Sequence, residues 1–425
     1  MKILVLSSTP WDENNSFGNT YSNLFADFTD IEFANIFCKA GNLHNRFPMT
    51  GFRMTEKSLL LNLLGKCPAG ERVTNRQEFS HENGDAKPFV PKKRRLVYFW
   101  IREWIWRVGR WKSPELRAFI QAFQPDLIFQ PIYYNRYLNR VAQYVKQVAD
   151  VPMLGYVSDD VYHLQDAHGS PLQKLDILLS RRCIKKTVEN CEILYVVSEL
   201  QKREYAQVFT PPCKILTKCA DFTEPPQLKT SYNIPLQLVF TGNIGTNRWK
   251  SLAILAQAVQ DLNRNGTKAE LRIYTATPLT AKMQQALDID GASYLMGTVP
   301  ASEIPRIQSQ ADMLVHVEAL DLKNKLAVRQ SFSTKLVDYF KAARPILAVG
   351  PKDVASIDHL LQNNCALVAD NAADLAVMLS DCLENPKRLH TLAENAFLCG
   401  KRHHDAAQMK EMLYADLKNT AASRN

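Results

Sequence analysis

The chain has 425 residues, 46% apolar and 22% charged, the balance of a folded globular protein rather than a disordered or fibrous one. That length implies roughly two to three domains and a core large enough to need no disulfide staples. The formal net charge is +9, but residues 92–112 hold eight basic residues and one acid, so +7 sits in one segment and the rest is near neutral. Such a distribution argues against a nucleic-acid partner and for a local anionic surface.

The longest apolar runs, such as LVYFWI at 96–101, fall far short of the ~20 residues that span a bilayer. The opening MKILVLSSTPW reads as a buried strand and not as an export signal. The nine cysteines are odd in number and have no C-x-x-C spacing, and no H-E-x-x-H occurs. Neither a zinc site nor a disulfide framework is expected, and a reducing cytosol fits.

In chain order, apolar runs of strand length recur at 2–7, 126–131, 152–158, 192–198, 236–242, 270–275, 312–317 and 345–350. Runs apolar throughout suit strands buried on both faces of a parallel sheet. The segments between them have helical length and period. In 251–262, for example, Leu252, Leu255, Ala256, Val259 and Leu262 share one face. The fold class expected is α/β, with two doubly wound Rossmann-like domains facing across a cleft. Residues 1–221 form the first domain, 222–235 a linker rich in proline and polar residues, 236–400 the second domain, and 401–425 a C-terminal helix. Residues 65–95 read as a mobile surface loop. Chemistry is expected just after the strands, because open α/β sheets bind ligands beyond their carboxyl ends.

No G-x-G-x-x-G and no G-x-x-x-x-G-K-[ST] is present, which argues against a dinucleotide-dependent dehydrogenase and a P-loop NTPase. In the first domain YVSDDVYH places Asp159, Asp160 and His163 beyond a strand. They either orient or deprotonate an acceptor hydroxyl, or simply cap a helix. The second domain opens with a strand ending FTGNIGTNRWK. Gly242 relieves crowding there, and Arg248 and Lys250 sit beside helix N–H groups, a combination suited to a diphosphate. Further on, SFSTKLVDYFKAARPILAVG gives Ser333 or Thr334 as a helix cap and Lys335 as a nearby cation. Asp338 lies one turn in, where a carboxylate can accept from a ribose diol.

These two stretches resemble the donor half of GT-B glycosyltransferases, nearest the family-4-like group that builds bacterial polysaccharides and glycolipids. YVVSELQKREYAQVF, QPDLIFQP and the two-domain layout are similar as well. The resemblance implies that Arg248 and Lys250 hold the donor diphosphate. It also implies that Ser333, Thr334 and Lys335 form the facing wall, that Asp338 binds the ribose and that Val299 lies at the base. The family's paired glutamates, with seven residues between them, fall here on Gln330 and Asp338, so that pair is not intact. The resemblance implies no bound metal or cofactor. The D-x-D at Asp288 and Asp290 reads as a turn.

The basic segment contains four of the six tryptophans. As a helix, it would put Val97, Ile101, Trp104, Val108 and Trp111 toward the core. Phe99, Arg102, Trp106 and Arg110 would then meet an anionic membrane, with 92–95 (KKRR) adding to the field. The expectation is a cytoplasmic hexosyltransferase, peripheral to the inner face of the membrane. It would move a sugar from a nucleotide diphosphate sugar, UDP first, to a lipid-linked or membrane-held glycan. A nucleotide-sugar 2-epimerase on the same fold and a non-catalytic nucleotide-sugar binding protein are the rivals.

Overall fold

The computed structural model describes residues 1–75, 92–163 and 170–423, leaving aside the side chains of Ser16 and of residues 92–96. Contacts divide the chain into two units. The first holds residues 1–196, 202–216 and 410–425, and the second holds 197–201 and 217–409. The stretch 222–235 thus belongs to the second unit, and the chain's last residues belong to the first.

The first unit begins with β1 (Lys2–Ser7), α1 (Ser16–Phe25), β2 (Glu32–Phe37), β3 (Met49–Met54), α2 (Glu56–Leu63) and β4 (Gly70–Thr74). It continues with α3 (Lys92–Val108), α4 (Pro114–Phe123), β5 (Leu127–Pro131), α5 (Arg136–Ala149), β6 (Met153–Val157) and α6 (Pro171–Val188). Next come β7 (Ile193–Val196), α7 (Glu199–Tyr205), which spans the division, and β8 (Cys213–Ile215). The eight strands lie in the order β4-β3-β2-β1-β5-β6-β7-β8. All neighbours are parallel except β3 and β4.

Burial on both faces explains why β1 and β5 read as unbroken apolar runs. β2 does not read so, because Asn35 interrupts it. Asn35 is fully buried, and its Nδ2 donates to the Val5 carbonyl and to Ser7 Oγ, so the core accepts it. β4 occupies residues 70–74, within the stretch expected as a loop, and pairs antiparallel with β3, whose backbone N–H and C=O groups on that edge it satisfies. Of the rest of that expected loop, 76–91 lies outside the described residues, and 92–95 form the start of α3 instead.

In the second unit the chain runs β9 (Leu236–Thr241), α8 (Arg248–Leu262), β10 (Ala269–Tyr274), α9 (Ala281–Leu287), β11 (Ser293–Gly297), α10 (Ile304–Gln310) and β12 (Met313–Val317). It then forms α11 (Leu322–Val328), α12 (Lys335–Ala342), β13 (Ile346–Val349), α13 (Ala355–Gln362), β14 (Ala366–Ala369), α14 (Ala372–Glu384) and α15 (Pro386–His403). The last helix is α16 (Ala406–Ala422), whose residues from Lys410 onward belong to the first unit. The strand order is β11-β10-β9-β12-β13-β14, and every pair is parallel. Leu252, Leu255, Ala256 and Val259 of α8 enter the core on one side of this sheet, as the helical period requires. Leu336, Tyr339 and Phe340 of α12 enter the core on the other. Successive strands are added outward from β9 in one direction and then from β12 in the other. The order therefore reverses between β9 and β12, the place at whose carboxyl ends open α/β sheets bind ligands.

The basic helix is turned over relative to expectation. Trp106 is 0% exposed, stacks on Tyr137 with ring centroids 4.6 Å apart, and donates from Nε1 to Glu56 at 3.0 Å. Phe99 is half-buried against Tyr134, and Arg102 lies over the rings of Phe99 and Tyr137. Val97, Ile101 and Trp104, expected in the core, are 59%, 50% and 60% exposed. The reason lies in Glu103. It shares the inward side with Trp106 and forms a buried network with Arg136 and Arg140 of α5 at 3.8 and 3.3 Å. Of the expected lipid-facing set only Arg110, just past the helix, is exposed. The side chains of residues 92–95 lie outside the description.

Candidate functional site

The switch between β9 and β12 brings together residues from four elements. After β9 the chain turns sharply at Gly242, whose φ of 140° favours glycine. A Cβ there would meet Lys335 Nζ at 2.5 Å. Lys335 starts α12, and its ammonium lies 4.6 Å from the centre of the Phe240 ring. Arg248 starts α8, and its Nε and Nη2 each reach Glu318 Oε2 at 3.0 Å. Glu318 directly follows β12 and is buried. Its backbone N–H donates to the Val349 carbonyl, and its own carbonyl accepts from Ser251 Oγ at 2.7 Å.

The electrostatics follow from this packing. Burial pushes the Glu318 carboxyl up, while Arg248 and Lys335 pull it down. Burial, helped by Arg248, lowers Lys335 to about 8, against a raising influence from Glu318. His316, buried inside β12 with Nε2 3.6 Å from Glu318 Oε1, is held neutral by burial and by the two cations. One carboxylate therefore faces two cations, with the exposed Lys250 nearby on α8. An incoming dianion would complete the neutralisation.

The helix amides contribute differently from expectation. The N–H groups of Arg248, Trp249 and Lys250 donate to the carbonyls of Gly245, Ile244 and Asn247 at 3.2, 3.1 and 3.0 Å. Gly245 N–H donates to Asn243 Oδ1, and Ile244 N–H to Thr277 Oγ1. The turn thus satisfies its own donors, leaving the cationic side chains to receive an anion. At α12 neither Ser333 nor Thr334 caps with its side chain. Ser333 N–H donates to Ser356 Oγ, its carbonyl accepts from Leu336 N–H, and Thr334 is exposed. The capping expectation fails because α13, through Ser356, already holds this turn.

Asp338 does face outward one turn into α12, but Lys218 Nζ bridges both of its oxygens at 2.7 and 2.8 Å. Gln330 is fully buried, and its carbonyl accepts from Ser198 Oγ at 2.7 Å. Val299 is half-exposed in the loop after β11. Gly297, two residues earlier, lines a cavity of about 470 Å³ with Thr275, Leu279, Gln285 and Leu295. Asp288 ends α9, and Asp290 lies in the turn before β11. Among the described residues no group of three or more His, Cys, Asp or Glu side chains is placed to hold a metal ion.

In the first unit, Asp159, Asp160 and His163 do follow β6. Asp160 holds a turn and not a helix cap, accepting from the N–H groups of Tyr162 and His163 at 3.1 and 2.8 Å, while the next described helix, α6, is capped by Ser170. The His163 ring packs beside Tyr162 and Tyr205, with Nδ1 3.8 Å from Asp160 and 4.0 Å from Glu204. Asp159 is exposed.

Sequence reasoning missed Glu318 and Lys218. Glu318 carried a weak signal, an acid that directly follows a strand apolar but for His316. Lys218 carried none, because its partner lies 120 positions away.

Comparison with known proteins bears on the fold. Residues 235–385 match the family model for glycosyl transferases group 1. By sequence, no curated protein matches the chain. Among solved structures, HepE of Anabaena in complex with UDP aligns over 99% of this chain and 100% of its own, with TM-score 0.61 and 14% identity. Sucrose-phosphate synthase of Thermosynechococcus elongatus aligns over 100% of both chains, with TM-score 0.63 and 13% identity. The UDP-forming α,α-trehalose-phosphate synthase of Burkholderia xenovorans, in complex with glucose-6-phosphate, aligns over 98% of this chain and 100% of its own, with TM-score 0.57 and 10% identity. At such identities the likeness is one of fold. The chain thus has the GT-B fold, and residues 235–385, in its second unit, match the family model for glycosyl transferases group 1.

Proposed function

We propose that this glycosyltransferase moves a sugar from a nucleoside diphosphate sugar to a membrane-held, lipid-linked glycan in the synthesis of a surface polysaccharide. The observation that carries the donor half is the pairing of Arg248 with buried Glu318, with Lys335 beside Gly242 and in the field of the same carboxylate at the strand-order switch. As the glycosidic bond to the donor breaks, negative charge grows on the leaving diphosphate. Cations already in place stabilise it, by roughly 3–4 kcal/mol for a strong donor. Lys250 adds to this field from the exposed side of α8. Uridine is the base favoured by analogy, since HepE holds UDP and the Burkholderia enzyme is UDP-forming.

Asp338 is the candidate for the ribose diol, on condition that the diol displaces or shares Lys218. Val299 is the candidate for the base. On the acceptor side, Asp159 and His163 are the candidates, since the Asp160 carboxylate is committed to its turn. Reaction with retention follows the family resemblance.

Calorimetry with UDP, GDP and ADP tests the donor half. UDP should bind in the micromolar range. Arg248→Ala should weaken it by about 1.5–3 kcal/mol, the worth of a charge-assisted hydrogen bond. Unchanged binding in Arg248→Ala and Lys335→Ala would remove the diphosphate site. Donor turnover that needs a membrane extract favours transfer to a lipid-linked acceptor. Turnover of the donor alone to an isomer would favour the epimerase.

A further inference from the structure

Among the described residues the outer face of α3 has no partner within its unit, and it is apolar. Val97, Ile101, Trp104 and Val108 recur at three- and four-residue spacing, so they form one stripe. All four are exposed, as is Tyr98 beside them. Helix α2 packs next to α3, with the Leu59 side chain 3.2 Å from a Cβ built on Gly109. It presents three more exposed leucines, Leu60, Leu63 and Leu64. An apolar surface of this extent is unusual for a soluble chain with nothing to cover it.

Charge on the same two helices decides what covers it. Arg107, Arg110 and Lys112 are exposed at the end of α3, and Lys57 and Lys66 are exposed on and after α2. The only acids of the two helices are Glu56 and Glu103. Glu56 accepts from buried Trp106, and Glu103 is buried with Arg136 and Arg140. Both negative charges are thus spent on the inner side, and the outer side is left apolar at its centre and cationic at its margins. A tryptophan among aliphatic residues with arginines alongside suits the boundary between acyl chains and headgroups. The helix is also too short and too charged to span, and no helix among the described residues is long and apolar enough to cross a membrane.

We infer that the outer face of α3, with the exposed leucines of α2, lies in the surface of an anionic bilayer. This names the attachment surface for the membrane-held acceptor proposed above and rests on that reading. It is also the face opposite to the one expected from sequence.

The test is co-sedimentation of the full chain with phosphatidylcholine vesicles, with and without phosphatidylglycerol, alongside UDP calorimetry and sedimentation velocity. Wild type should pellet with the phosphatidylglycerol vesicles and be released by salt. The double variant Ile101→Ser, Trp104→Ser should lose at least about tenfold in vesicle affinity, since each large apolar side chain withdrawn carries about that factor. Its melting temperature and UDP affinity should not change, because both side chains are exposed in the free protein. Arg107→Glu with Arg110→Glu should abolish binding at low salt. Wild type that stays in solution, or a double variant that binds as tightly as wild type, overturns the inference. So does a wild-type dimer that the double variant converts to monomer, because a second copy would then cover the stripe. Loss of UDP binding in the wild type would strike the donor reading and leave the surface untouched.

Discussion

At the scale of single residues, the second unit turns on a buried carboxylate that serves two cations. Lys335 sits near pKa 8, below the ordinary lysine value of 10.5, chiefly because it is desolvated. A bound diphosphate favours the charged amine, so the complex holds its proton to higher pH than the free protein does. Binding above about pH 8 must therefore take up a proton, and affinity for UDP should be level below that pH and fall above it. The fall should approach tenfold for each unit, measured by calorimetry between neutral and alkaline pH. Stability runs the other way. Between about pH 8 and 10.5 the unfolded chain holds more protons at this site, so the penalty for burying the ammonium is full below pH 8 and is relieved as pH rises. Glu318 raises the lysine's pKa, so Glu318→Gln should move the onset of the affinity loss to lower pH. An unmoved onset would show that Lys335 does not feel this carboxylate. Asp338→Asn should weaken UDP binding while leaving the fold intact. If it instead binds normally and melts lower, the pair with Lys218 is structural, worth roughly 0.2–1 kcal/mol at this exposure.

At the scale of elements, two features separate periodicity from packing. The turn after β9 depends on Gly242 for its conformation and for room beside Lys335. Gly242→Ala should therefore destabilise the protein by more than about 1 kcal/mol in urea denaturation and displace Lys335, weakening UDP binding in the same variant. The helix α3 shows the opposite case. Its periodicity marks two candidate faces, both containing tryptophan. The choice between them depended on Glu103, which needs the α5 arginines, and on Glu56, which offers Trp106 an acceptor. Trp106→Ala should cost about 3–5 kcal/mol as a large cavity in the core, whereas Trp104→Ala should fall within about 0.5 kcal/mol of wild type. Equal losses from both variants would mean that neither face is free.

At the scale of the whole molecule, UDP binding and turnover should survive EDTA, because Arg248, Lys250 and Lys335 supply the charge a metal would otherwise bring. Loss in EDTA with recovery on adding Mg²⁺ or Mn²⁺ would point back to the turn at Asp288 and Asp290. The α/β class, the strands that became β1, β5, β6, β7, β9, β10, β12 and β13, and the positions of Gly242, Arg248 and Lys335 after or beside them were legible from sequence alone. Each is written in local signals: an apolar run long enough for a doubly buried strand, a glycine at its end, a helical period after it. β2 and β3 were not legible, since their buried Asn35 and half-buried Arg53 depend on partners elsewhere in the sheet or its loops. Only the tertiary structure decided that the amides at the start of α8 bond to their own turn, that Lys218 holds Asp338, that Glu318 binds Arg248, and that α3 faces outward with its aliphatic stripe. The physical reason is the same throughout. A local pattern fixes which backbone conformation and which faces are possible, but a polar or charged group settles where its partner is, and those partners lie tens to more than a hundred residues away in the chain.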